Sequence, residues 1–97
     1  MSGRLRKTDR AKRDIEHISD WIFRESPAAA EKWLDDLDEK LQIIAATPGV
    51  GTNRSDLRPG IRSYAFGNYL IFFKPTKAGV DIVRIIHGAR DYRGFFK

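Results

Sequence analysis

"IRSYAFGNYLIFFK", residues 61–74, decides how this chain folds. Its two halves, 61–66 and 68–74, are rich in β-branched and aromatic residues, the side chains that suit a pleated, half-buried surface. Gly67-Asn68 lies between them and supplies the backbone freedom of a tight turn. A third run of the same kind, "VDIVRIIH" (80–87), follows a looser turn at 75–79. Three runs joined by short links predict an antiparallel meander.

Toward the N-terminus the period changes. Ala11, Ile15, Ile18 and Ile22 recur at intervals of four, three and four, the stripe of an amphipathic helix. Trp21 borders the stripe, and Phe23 lies well off it. Thr8 or Asp9 offers a side-chain oxygen to the first backbone N–H groups, which have no partner inside the helix. Ser26-Pro27 ends this helix and starts another, with serine as N-cap and proline at the first helical position. Ala30, Leu34, Leu37, Leu41 and Ile44 share one face of the second helix, with Trp33 and Ala45 beside them. So short a break makes the helices an antiparallel hairpin. "RLRK" (4–7) is a short candidate strand before them, and "TPGVGTNRSD" (47–56) is a loop by its proline, glycine and small polar content. The expected order is β-α-α-β-β-β in one domain, 1–97: an α+β fold, its antiparallel sheet carrying the helical hairpin on one face.

A sheet covered on one face should alternate apolar and polar residues. Here Tyr69, Ile71 and Phe73 point one way while Leu70 and Phe72 point the other, and Val83 and Ile85 oppose Ile82 and Ile86 in the same fashion. The inner strands are therefore apolar on both faces, yet the chain supplies one helical layer. Its own tail (Tyr92, Phe95, Phe96) or a partner segment must cover the second face.

Charge is sorted by segment. The net charge of +5 divides into six bases against one acid in 1–13, nine acids against three bases in 14–53, and nine bases against three acids in 54–97. Such a split favours an acidic partner for the basic flanks, either a phosphate backbone or an acidic peptide. With no cysteine there is no disulfide framework and no thiolate metal site, and neither a metal nor a cofactor is expected. No apolar run approaches the ~20 residues that cross a bilayer, and the start lacks a signal-peptide core, so the chain is expected to be cytoplasmic, without membrane contact.

The helix "AKRDIEHISDWI" (11–22), the second helix ending in "TPGVG" (47–51), the run "RSYAFGNYLIFFK" (62–74) and the ending "VRIIHGARDYRGFF" (83–96) together resemble the RelE/ParE toxin superfamily, the ending being most similar to its ParE branch. The resemblance implies the toxin of a type II toxin–antitoxin pair. Its antitoxin would be a ParD-like protein with a ribbon-helix-helix DNA-binding domain and an acidic tail, DNA being touched only through that antitoxin. The freed toxin would inhibit DNA gyrase, and so replication and growth, by direct binding and without catalysis. The RelE branch implies instead a ribosome-dependent endoribonuclease acting on messenger RNA.

Each reading nominates residues. A metal-free ribonuclease needs a base, an acid and cations on the phosphate, and Arg62, Arg84, His87 and Tyr92 are the candidates. Strict alternation places Arg84 and His87 on opposite faces, unless the strand breaks near Gly88. For target binding, Arg90, Asp91, Tyr92, Arg93, Phe95 and Phe96 form an adhesive cationic and aromatic tail of the kind that dominates binding hot spots. Antitoxin contact is expected where charge and apolar surface adjoin, at Trp33, Leu37, Arg54, Arg58, Arg62 and Tyr64.

Overall fold

Thr8 joins the first strand to the first helix and ties both to the last strand. Its hydroxyl accepts from the Ala11 N–H at 3.2 Å, capping the helix, and donates to the Val83 carbonyl at 3.0 Å. Its backbone N–H donates to the Ile82 carbonyl at 3.0 Å. The computed structural model describes residues 4–96: β1 (Arg4–Lys7), α1 (Asp9–Glu25), α2 (Pro27–Ala46), β2 (Thr52–Asn53), β3 (Arg62–Phe66), β4 (Tyr69–Pro75), β5 (Gly79–His87) and a closing 3-10 turn, Tyr92–Phe96. Ser26 both ends α1 and begins α2: its N–H donates to the Ile22 carbonyl and its hydroxyl accepts from Ala29. Among the described residues no helix is long and apolar enough to cross a membrane.

The sheet order is β1-β5-β4-β3-β2. The meander and the helical hairpin are as the sequence reads. The sheet is mixed rather than antiparallel, because β1 runs parallel to β5. The short β2 adds an edge beyond β3 that the loop-like composition of 47–56 does not announce. The crossover between β1 and its parallel neighbour is the rest of the chain, helices included. Gly79 permits that pairing, since a Cβ there would collide with the backbone of Arg4.

On the helix face, Leu37, Leu41 and Ile44 of α2 and Ala11 of α1 pack on Ile71, Phe73, Ile82 and Ile85. Leu34, read as part of the buried stripe, is exposed. On the other face Ile61, Phe72, Ile86 and Phe96 form a second core, flanked by Tyr92 and Phe95. The chain's own tail is thus the cover for the second face. Phe96 retains 6% exposure, with its ring centroid 4.9 Å from that of Phe72.

Strict alternation fails at one place. Phe72 pairs with Arg84 and Phe73 with Ile82, so Val83 bulges out of the ladder. The extra residue resets the faces beyond it. Ile82 and Ile85, three apart, both enter the helix-side core, whereas Val83 joins Ile86 on the tail side. Arg84 leaves the bulge toward α1. Its Nε and Nη2 donate to the two carboxylate oxygens of Asp14 at 2.8 and 3.0 Å, and the Ile85 N–H donates to the same carboxylate at 3.0 Å.

Two stability outcomes follow. Removing one partner of a buried, bidentate pair costs about 3 kcal/mol or more, because the other charge stays behind. Asp14→Ala should therefore lower unfolding free energy by about 3 kcal/mol in denaturant titration, and the double change Asp14→Leu with Arg84→Met should recover much of that loss. Phe96→Ala should cost about 3 kcal/mol by opening a cavity against Phe72. A Phe96→Ala protein as stable as the parent would show that the tail is not part of the core.

Candidate functional site

β1 pairs only with 79–82, so β5 continues past its neighbour and 83–87 has no strand beside it on that edge. The middle of α1 lies over this stretch, and between them opens a groove of about 500 Å3. Asp14, His17, Ile18 and Trp21 line it from the helix, as expected of residues that repeat at three and four along one face. His87 and Arg90 line it from the end of β5 and the turn beyond, with Tyr69 alongside. Trp21 is 63% exposed, and Phe23 near the same helix end is 59% exposed. Trp21 thus leaves a large apolar ring open to solvent at the mouth of the groove.

The floor of the groove is stiffened by a row of rings. Phe66, Trp33, Tyr69 and His87 follow one another with centroids 5.7, 5.7 and 5.3 Å apart, the last two contacts edge-on. His87 Nδ1 accepts from the Ala89 N–H at 3.1 Å, which orients the ring. Trp33 is thereby a packing residue within this row.

The six residues read as an antitoxin surface do not form one patch. Trp33 and Tyr64 pack on the helix-side core, and Leu37 belongs to it with 2% exposure. The Arg62 guanidinium donates to the carbonyls of Gly49, Val50 and Gly51 at 2.8–3.1 Å, pinning the loop after α2. Arg54 and Arg58 lie with the tail on the opposite face. Arg54 donates to Asp56 and to the Tyr92 hydroxyl, and Arg58 lies 5.5 Å over the Phe96 ring. The hydrogen bond from Arg54 holds the Asp56 carboxyl below its usual range, while Asp56 and then Tyr92 raise the guanidinium's own pKa further.

The tail residues also divide. Arg90, Asp91 and Arg93 are exposed, Tyr92 and Phe95 are half-buried, and Phe96 is buried. Arg84 and Arg90 lie 4.6 and 5.0 Å over the Phe95 ring and hold it. Truncation after residue 89 would therefore strip the second core as well as any docking surface.

Nor are the four ribonuclease candidates gathered. Arg62 pairs with Phe73 on the helix-facing side of the sheet, and Tyr92 sits on the far side against Phe72. His87 faces Tyr69 under α1, while Arg84, only 8% exposed, is engaged by Asp14. The ladder from Arg84 to His87 alternates regularly, so their backbones do set them on opposite faces. Arg84 nonetheless lines the groove with His87, because its side chain reaches round the strand edge beyond β1 to Asp14. The residues that sequence reading passed over are Asp14, His17 and Trp21, whose common signal is a shared face of α1 adjoining its apolar stripe.

Comparison with known proteins gives this geometry a family. Residues 5–92 match the family described as the ParE toxin of the type II toxin-antitoxin system parDE. The chain is 31% identical over 93 residues to Toxin ParE1 of Mycobacterium tuberculosis, covering 94% of this chain and 95% of that one. It is 31% identical over 91 residues to Toxin ParE1 of Caulobacter vibrioides, covering 91% and 92%. A chain from the chromosomal ParDE TA system of P. aeruginosa has the same fold, with a TM-score of 0.74 at 22% identity over 89% of this chain and 96% of that one. From its first strand to its closing turn, this chain belongs to the ParE toxin family of type II toxin–antitoxin systems.

Proposed function

We propose that this toxin acts by binding rather than catalysis, that its target is DNA gyrase, and that a ParD-like ribbon-helix-helix antitoxin with an acidic tail neutralises it. The carrying observation is where the reactive side chains lie. Arg62, Arg84 and Tyr92 are each engaged in holding a different part of the fold, on two sides of the sheet. Ribonuclease chemistry needs base, acid and phosphate cations within reach of one scissile bond. An inhibitor needs only an adhesive surface. The exposed Trp21, the groove beside it and the rim of Arg90, Asp91 and Arg93 provide one.

In this reading the acidic antitoxin tail lies in the groove between α1 and β5, its apolar side chains on Trp21 and Ile18 and its carboxylates toward Arg90 and His17. Arg90 belongs to both surfaces, groove and exposed rim, so an occupied groove hides part of what the target would meet. The antitoxin surface first nominated at Arg54, Arg58 and Arg62 thus moves to the other edge of the sheet. Contact with DNA belongs to the antitoxin.

Two measurements bear on this. In a purified system the protein should block supercoiling by gyrase while translated message stays intact; cleaved message with normal supercoiling would instead favour the ribonuclease. Trp21→Ala should leave the circular dichroism and melting midpoint close to the parent's, the ring being mostly in solvent. The same change should weaken antitoxin binding by about thirtyfold or more, the scale of an aromatic hot spot. Unchanged affinity would remove the groove from the antitoxin's path.

A further inference from the structure

On the tail side of the sheet, a second pocket of about 440 Å3 opens between the start of α1 and the closing turn. Its charged lining comes from three distant segments: Arg10 in the first turn of α1, Arg58 in the loop before β3, and Arg84 in the β5 bulge. Thr8, Gly94 and Phe95 complete most of the wall, and no carboxylate lines it. Asp14, the acid that satisfies Arg84, lines the other groove. Among the described residues neither Arg10 nor Arg58 makes an ion pair. Asp9, next to Arg10 in the sequence, is exposed outside this lining.

We propose that this pocket binds a phosphate group. Like charges drawn from three parts of the chain toward one concavity repel one another, and an anion between them reverses the sign of that interaction. Asp14 takes Nε and Nη2 of Arg84, which leaves Nη1 to donate elsewhere. With Arg84 neutralised by Asp14, the lining keeps the two charges of Arg10 and Arg58, which match a phosphate dianion better than a single carboxylate. The planar guanidinium fork suits the several acceptor oxygens of phosphate. The first turn of α1, a 17-residue helix, adds the positive end of its dipole. The volume exceeds that of a bare phosphate and leaves room for the group that carries it.

The full-length protein tests this by titration at low ionic strength with inorganic phosphate and, separately, with a 5′-mononucleotide, read by amide chemical shifts. Shifts should concentrate at Thr8, Arg10, Arg58 and Gly94. Arg10→Gln and Arg58→Gln should each weaken binding about tenfold, the scale of one charge-assisted hydrogen bond. Gly94→Asp is the control that spares the fold: a Cβ at Gly94 meets nothing within 4 Å, so the carboxylate is accommodated and should abolish binding. Tighter binding of the mononucleotide would identify a phosphate carried on an organic group, and tighter binding of inorganic phosphate the free ion. Shifts spread over the whole basic surface, or affinities equal in the parent and all three variants, would overturn the assignment.

Discussion

The Asp14 carboxylate is the fastening on which the rest of the structure depends. It takes two donors from Arg84 and one from the Ile85 backbone, at the point where β5 has outrun its parallel neighbour. An edge strand with open N–H and C=O groups is a template for unwanted pairing. Here the helix supplies a side chain in place of another strand. The same contact holds α1 against β5, leaves the groove open further along, and turns Arg84 where it can also hold Phe95. One buried pair thereby links hairpin, sheet and tail.

The second constraint is the two-sided sheet. β4 and β5 are apolar on both faces, and a chain of this size has one helical hairpin with which to cover them. The closing turn solves the remaining face with few residues, Phe96 against Phe72 and Tyr92 beside it. Cations serve the same end: Arg54 and Arg58, from the loop before β3, lie over the Tyr92 and Phe96 rings, and the tail's own Arg90 lies over Phe95. Basic and aromatic composition at a chain end thus has a packing explanation before it has a binding one. What stays outside both cores is the exposed Arg90, Asp91 and Arg93, together with Trp21 across the groove.

How much of this was legible in the sequence follows from the range of the forces involved. The caps at Thr8 and Ser26, the helical hairpin and the meander are dictated by neighbours a few residues apart, and they read correctly. The parallel pairing of β1 with β5 joins residues some seventy-five positions apart and leaves no local mark. The bulge at Val83 defeats any strict period-two reading, because "VDIVRIIH" contains nothing that announces the extra residue. The candidate site suffered most. Arg58 and Arg62 look free in a sequence, but the partners that occupy them, a tail ring and loop carbonyls, become neighbours only in the folded chain, as does the Tyr92 hydroxyl that Arg54 adds to its near neighbour Asp56. The groove was missed for the same reason, since it exists only where α1 and the end of β5 are brought together.

The parallel ladder also sets an order of events at the ribosome. β1 is made some seventy-five residues ahead of its hydrogen-bonding neighbour, so it waits, unpaired, until β5 has emerged. A nascent chain therefore has no finished sheet, no Asp14 fastening and no tail-side core before β5 and the closing turn have been made. A chain cut short anywhere ahead of β5 would carry the helical hairpin without the strand that fastens it.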